Sequence, residues 1–357
     1  MKILITAPEL DETRNVSGIS TVVRQIIENC PSRYTHFVAG STDGEGKGAR
    51  WALKQIALPL RFLIAVIRSK PDLIHLNTAL TNLSIWRDLM LLLVGRVARR
   101  PVILAIHGGK YLMSRPASAS VDRAIGFMLR HSAAVIVLSE IERASLSRRW
   151  PNIELTVLPN AVDRRNAPLI ERSNNVPVVV FLGRIHESKG IRQLAEACGK
   201  VHRSGTEFIL RCCGDGPERK WFVDAMTDEL QTAFEYRGVV AGTEKWATLA
   251  SSDIFVLPSV YGEGMPMAML EAMACRCVVI ASDNASITAV IDNGENGFIV
   301  PSGDADALAK TLSKVIAARE DWPMIGDAAR KTVADKFSSD DYFAALDSIY
   351  LRAVDDS

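Results

Sequence analysis

Apolar positions along this chain follow two alternating rhythms. Short runs of β-branched and aliphatic residues, "KILITA", "HFVAG", "DLIHLN", "VILAIHGG", "AAVIVLS" and "LTVLPN", punctuate the first 160 residues. Between them lie longer stretches with apolar residues at helical spacing. Continuous apolar runs bounded by turn residues suit strands buried on both faces, and their alternation with helices suits a parallel sheet. The segment 163–177, "DRRNAPLIERSNNVP", interrupts this rhythm with charge and two prolines and reads as a linker. A second series follows: "VVVFLGR", "EFILRCCGDG", "FEYRGVV", "IFVLPS", "CVVIASD" and "GFIVPSGD". The pattern predicts an α/β protein of two doubly wound, Rossmann-like parallel-sheet domains, 1–165 and 166–336. A last amphipathic helix is expected within 337–357. In such sheets ligands gather at the carboxyl ends of the strands, so the loops that follow them are where chemistry is sought.

Composition sharpens this picture in three ways. A length of 357 residues with 48% hydrophobic content is enough for two cores. The formal charge of +1 conceals a split: residues 1–165 hold 23 Lys/Arg against 13 Asp/Glu, and the remainder holds 19 against 28. One basic half suggests a meeting with something anionic. The six cysteines form no C-x-x-C pair, which suits reduced thiols and a cytoplasmic protein. "MKILITAPEL" holds too short an apolar run for a signal peptide, and no apolar run reaches the roughly 18 residues that would span a bilayer.

The loops after the second series of strands carry the candidate chemistry. Arg184 and Lys189 stand five apart at a strand-to-helix turn, where the helix dipole disfavours cations. A diphosphate would reconcile them, because helix-terminal N–H groups and basic side chains bind phosphate together. Gly214-Asp215-Gly216-Pro217 is a turn whose glycines would let backbone approach a ligand closely. The stretch "YGEGMPMAMLEAMACRC", 261–277, sets two carboxylates, Glu263 and Glu271, in apolar surroundings, with Pro266 suited to a helix start. If Glu263 lies in the loop and Glu271 in the second helical turn, both acids can face one site and bond vicinal hydroxyls. Asp304 and Asp306 instead read as a helix cap and a first-turn acid, and no acidic metal cluster falls in these loops.

Taken in order, G-R-x4-K-G, G-x-G-P and E-G-x-P-x4-E-A-M resemble the retaining nucleotide-sugar glycosyltransferases of the GT-B fold, family 4 (group 1). The resemblance extends over Ser17-Gly18-Ile19-Ser20, the "HGG" at 107–109, "PNAVD" at 159–163 and "NGENGFIVPSGD" at 293–304. It implies two Rossmann-like domains facing across a cleft, the first for acceptor and the second for donor, with the last helix returning to the first. By similarity, Arg184 and Lys189 would hold the donor diphosphate, and Glu263 the hydroxyls of the transferred sugar. Gly18, Gly183, Gly214, Gly216, Gly264, Met265 and Leu270 would line the donor, Glu271 would bind the ribose, and His107 would reach the sugar. Retention without a metal ion, a UDP- or GDP-sugar donor, no cofactor and no nucleic-acid partner are the matching expectations. The chain departs from the family at Asn160-Ala161-Val162-Asp163, Cys275-Arg276-Cys277 and Asn284–Ala289, which bears on the choice of base and sugar. Alternatives of the same architecture are a nucleotide-sugar 2-epimerase and a transferase acting on a soluble small molecule. A dinucleotide oxidoreductase would want G-x-G-x-x-G after the first strand, which "TAPELDETRNVSGIS" lacks.

Residues 47–71 hold Lys47, Arg50, Lys54, Arg61, Arg68 and Lys70 without an acid, in otherwise apolar sequence. The first five cations fall on one helical stripe, with Pro59 expected to kink or break the helix. A second acid-free stretch, 89–121, adds Arg96, Arg99, Arg100, Lys110 and Arg115. Two readings stand: a helix packed on the sheet with a solvated basic face, or a domain docked on an anionic membrane to receive a lipid-diphosphate-linked acceptor.

Overall fold

The structure is a computed structural model that describes residues 1–12, 15–40 and 48–356, leaving aside the side chains of 49 and 50. It divides into two compact units, Met1–Asn160 with Asp340–Ser357, and Ala161–Ser339. In the first, β1 (Ile3–Ala7), α1 (Gly18–Asn29), β2 (Tyr34–Val38), α2 (Ala49–Ser69) and β3 (Leu73–Thr78) are followed by α3 (Asn82–Val97) and β4 (Val102–Ile106). A short α4 (Lys110–Met113), α5 (Ala119–His131), β5 (Ala134–Val137), α6 (Glu140–Arg149) and β6 (Thr156–Val157) complete the alternation. The second unit runs β7 (Val178–Leu182), α7 (Ile191–Arg203), β8 (Ile209–Cys213), α8 (Arg219–Leu230), β9 (Phe234–Gly238) and α9 (Gly242–Ala250). It continues through β10 (Ile254–Leu257), α10 (Met267–Ala274), β11 (Val278–Ser282), β12 (Phe298–Val300), α11 (Ala305–Ala317) and α12 (Trp322–Lys336). The last helix, α13 (Ser339–Asp355), belongs almost wholly to the first unit.

Each of the twelve apolar runs becomes a strand, and every strand pairing is parallel. The sheet orders are β2-β1-β3-β4-β5-β6 and β12-β11-β10-β7-β8-β9. Central strands such as β1, β4 and β11 are buried at every position, while the edge strands β2 and β9 are partly exposed. Crossover helices on both faces produce that burial, because they remove water from both sides of a parallel sheet. Each order reverses at one point, between β1 and β3 in the first sheet and between β7 and β10 in the second. Crossovers leave in opposite directions there, so the loops at the carboxyl ends splay apart and a crevice opens.

One sequence expectation changes in the fold. Helix α2 is continuous from Ala49 to Ser69 with Pro59 inside it, so the proline does not break it. Proline removes one intrahelical N–H bond, and the inward side chains Leu58, Phe62 and Val66, all in the core of the first unit, hold the helix across the gap. Of the cationic stripe, Lys47 and the side chain of Arg50 lie outside the described residues. The last helix is fastened by Tyr350, wholly buried, whose hydroxyl lies 2.7 Å from Nδ1 of His75 on β3, and by an ion pair between Arg33 and Asp347. Asp304 caps α11 by accepting from the Ala307 N–H at 2.9 Å, and Asp306 lies in the first turn, as their sequence positions suggest; Asp306 also pairs with Lys200.

Candidate active site

The switch point of the second sheet is built from three loops held backbone to backbone. After β7 the chain passes Gly183 and the exposed Arg184, then makes a short 3-10 turn at Glu187–Lys189 that ends on Gly190 before α7 begins. Gly190 has φ +69°, and a Cβ there would lie 1.8 Å from the carbonyl oxygen of Pro258, after β10. Glycine is required on both counts. The Val260 N–H donates to the Ser188 carbonyl at 2.8 Å and closes the same contact. On the other side, a Cβ on Gly214 would sit 1.9 Å from the Gly183 carbonyl oxygen, and one on Gly216 2.3 Å from that of Ile185. The sequence reading gave these two glycines to ligand approach. In the fold they permit loop to lie on loop, which holds the 183–190 segment from behind.

That scaffold brings Lys189 to Glu263. The ammonium is 2.5 Å from Oε1 of Glu263, and the Ser259 hydroxyl donates to the same oxygen at 2.6 Å. Glu263 is buried, and both of its partners occupy Oε1. Gly264 and Met265 are buried beside it, and Pro266 stands one residue before α10, at the cap position rather than inside the first turn. In α10, Leu270 is wholly buried and Glu271 only 2% exposed. The Glu271 Oε1 accepts from the ammonium of Lys245 on α9 at 2.6 Å, and that ammonium lies 5.4 Å from the centre of the Trp246 ring. A buried carboxylate is tolerated only with such a partner. The two acids are thus held by two lysines, Lys189 from the turn after β7 and Lys245 from α9.

Lys245 and Ser259 escaped the sequence reading. Lys245 had a signal: it shares with Leu249, four residues on, the buried side of a helix, where a lysine calls for a buried acid. Ser259 had none.

In the first unit His107 directly follows β4, beside the switch point. Gly109, with φ +108°, would place a Cβ 2.3 Å from the Leu80 backbone nitrogen, so the "HGG" turn packs on the loop after β3. Nε2 of His107 is 2.7 Å from Oδ1 of Asn77, whose Nδ2 donates to the Thr6 carbonyl at 2.9 Å. The amide is thereby oriented with its oxygen toward the ring, so Nε2 carries the proton and Nδ1 is the acceptor. Burial pushes the imidazole down to about 4, and it is neutral at physiological pH. Asn77, buried within β3, was not found from sequence. Gly18 opens α1, and a Cβ there would meet nothing within 4 Å.

Two doubly wound parallel sheets in tandem, each with polar groups at its switch point, are the architecture of the GT-B glycosyltransferases. Residues 176–318 match the family "Glycosyl transferases group 1" and residues 17–161 match "Glycosyl transferase 4-like domain". The two cover most of the chain, and the protein belongs to the group 1 glycosyltransferases. A protein of Salmonella typhimurium named for colanic acid biosynthesis, the glycosyltransferase WcaL, is 32% identical over 167 residues, 45% of this chain and 41% of its own length. The phosphatidyl-myo-inositol mannosyltransferase of Mycobacterium leprae is 28% identical over 251 residues, 68% of this chain and 63% of that one. The chain therefore matches less than two thirds of the length of either. Anabaena Alr3699/HepE, solved in complex with UDP-glucose, superposes with a TM-score of 0.77 at 17% identity over 98% of both chains, a likeness of fold.

Proposed function

We propose that the protein moves a sugar from a nucleoside diphosphate sugar to a glycan or lipid-linked acceptor, with retention at the anomeric carbon, in cell-surface polysaccharide or glycolipid assembly. The Lys189–Glu263 pair at the second switch point carries this reading, because it sets a cation for phosphate beside an acid for sugar hydroxyls. The second unit is the donor domain and the first the acceptor domain. Arg184 and Lys189 neutralise the diphosphate. Glu263 turns Oε2 to the sugar hydroxyls, joined by N–H groups of Gly264 and Met265, while Gly183, Gly214, Gly216 and Leu270 shape the donor loops around them. Glu271 takes the ribose. Gly18 gives the phosphates an approach to the N-terminus of α1, and neutral His107 offers Nδ1 to a sugar hydroxyl.

In the reaction, the bond from the anomeric carbon to the diphosphate oxygen breaks and its electron pair leaves with the diphosphate. The acceptor oxygen bonds to that carbon on the same face, and its proton passes to a departing phosphate oxygen. Negative charge grows on the diphosphate as the sugar becomes oxocarbenium-like, and fixed cations lower that barrier in place of a metal ion. The solved UDP-glucose complex of HepE favours a UDP donor over GDP. The mannosyltransferase, named for a phosphatidylinositol, supports a lipid-linked acceptor. With such an acceptor the protein would work in the cytoplasm, peripheral to the inner face of the membrane. Among the described residues no helix is long and apolar enough to cross a membrane.

The test is a panel of UDP- and GDP-sugars with the purified full chain, scored for nucleoside diphosphate release and for the anomeric configuration of the product, with and without chelator. Retained configuration and chelator-resistant turnover are expected. An epimerised sugar formed without acceptor, or an inverted product, would overturn the reading.

A further inference from the structure

Helix α2 carries three longitudinal faces where an ordinary sheet-covering helix carries two. At about 100° per residue, Leu58, Phe62 and Val66 share one face and are buried in the core. The opposite face holds Leu53, Ile56, Leu60, Ile64 and Ile67, with exposures of 65%, 77%, 62%, 40% and 62%. Lys54, Arg61 and Arg68, all exposed, run alongside that second apolar stripe. The expected solvated basic face is therefore only a flank, and large aliphatic side chains occupy the position facing away from the core. Helix α3 packs against α2 and repeats the arrangement. Its Ile85 and Leu92 enter the same core, while Trp86, Met90, Leu93 and Val97, at helical spacing, remain exposed, Val97 at 80%. This stripe ends beside a cavity of about 370 Å³ lined by Arg96, Arg99, Arg100 and Arg130.

We propose that the outer faces of α2 and α3 form one membrane-insertion surface, which seats the first unit in the headgroup and upper acyl region of an anionic phospholipid bilayer. Two parallel observations choose this occupant. The apolar stripes match a helix lying in the plane of the interface, and their cationic flanks match the anionic headgroups at its edge. A second copy of the chain fits poorly. Residues 48–71 contain no acid, and the one acid of α3, Asp88, is buried and paired with Arg87, so self-pairing would set cations against cations. The inference deepens the proposed peripheral location: attachment is by insertion and not by surface charge alone.

The experiment uses the full chain and vesicles of phosphatidylcholine containing about one third phosphatidylglycerol, followed by flotation. Brominated acyl chains serve as depth probes for Trp86, with Trp86→Phe subtracting the other tryptophans. Binding that persists in part at high salt, quenching of Trp86 by the bromolipid, and at least a tenfold fall in binding for Ile56→Asp/Leu60→Asp are expected. Arg61→Glu/Arg68→Glu removes only the salt-sensitive part. No binding, binding abolished by salt and indifferent to Ile56 and Leu60, or a stable dimer that covers these residues would overturn the inference. Nucleoside diphosphate release without vesicles is measured on the same variants and should be unchanged. Vesicle binding by a wild-type chain that turns over no nucleotide sugar would sink the proposed activity and leave this surface standing.

Discussion

The ammonium of Lys189 and the carboxylate of Glu263 meet at 2.5 Å although 74 positions separate them in the chain. Their meeting depends on β10 lying beside β7, and on Gly190 letting the loop after one strand rest on the loop after the other. Ser259 of the same loop also donates to Glu263, but the cation comes from the other loop. The pair is a property of the switch point.

Replacing either member should therefore disable the donor site. Lys189→Ala and Glu263→Ala are each expected to lower turnover about 10²-fold or more, the scale for loss of a preorganised charged partner. Ser259→Ala, which leaves the pair in place but frees one bond to Oε1, should cost roughly tenfold, equivalent to about 1.4 kcal/mol. Steady-state release of nucleoside diphosphate checks this. Near-normal rates in Lys189→Ala and Glu263→Ala would exclude both from the site.

Lys245 and Glu271 separate stability from function. Lys245→Met leaves a carboxylate buried without its lysine and should cost about 3 kcal/mol or more in denaturant titration. Lys245→Met with Glu271→Met should recover most of that loss, because apolar side chains of similar volume replace a buried pair at little cost. The double variant should still bind the donor nucleotide poorly. Calorimetric titration with UDP and with GDP distinguishes the outcomes, and full nucleotide affinity in the double variant would show that Glu271 serves the fold alone.

Glycines divide in the same way. Gly214→Ala puts a Cβ into the Gly183 carbonyl, at a φ of +140° that side chains rarely adopt, and should lower the melting temperature. Gly18→Ala puts a Cβ into open space and should leave the melting temperature unchanged. If donor phosphate lies against that backbone, Gly18→Ala instead raises KM for the nucleotide sugar. Equal KM in wild type and Gly18→Ala would remove Gly18 from the donor site.

Buried His75 and half-buried His107 set an acid limit on the first unit. Burial holds His75 at about 3 and His107 at about 4, below the free value of about 6.5. The unfolded chain then binds protons that the native one does not, so stability is complete above the free value and falls as pH drops through it. Each group contributes a slope of about 1.4 kcal/mol per pH unit, continuing to about pH 4 for His107 and about pH 3 for His75. His107→Asn should flatten the fall between pH 6 and about 4 in urea titrations. An unchanged slope would contradict burial of a neutral ring.

Much of this protein could be read along the chain. Apolar runs bounded by glycine, proline and asparagine specify buried strands through local backbone chemistry, and all twelve fall where the runs are. Positions after those strands are where ligands of such sheets lie, so Arg184, Lys189, Glu263 and Glu271 stand out from their neighbours in sequence. What the chain alone left open was adjacency. Alternation does not dictate that β10 pairs with β7, so the lysine partner of each glutamate and the contacts that require Gly190, Gly214 and Gly216 came only with strand order. Asn77, which sets the protonated nitrogen of His107, reads in sequence as one polar residue in an apolar strand. Helix α2 shows the same limit: its isoleucines and leucines satisfy helical spacing on two opposite faces, and only packing on the sheet decided which apolar face was inside and which met the surroundings.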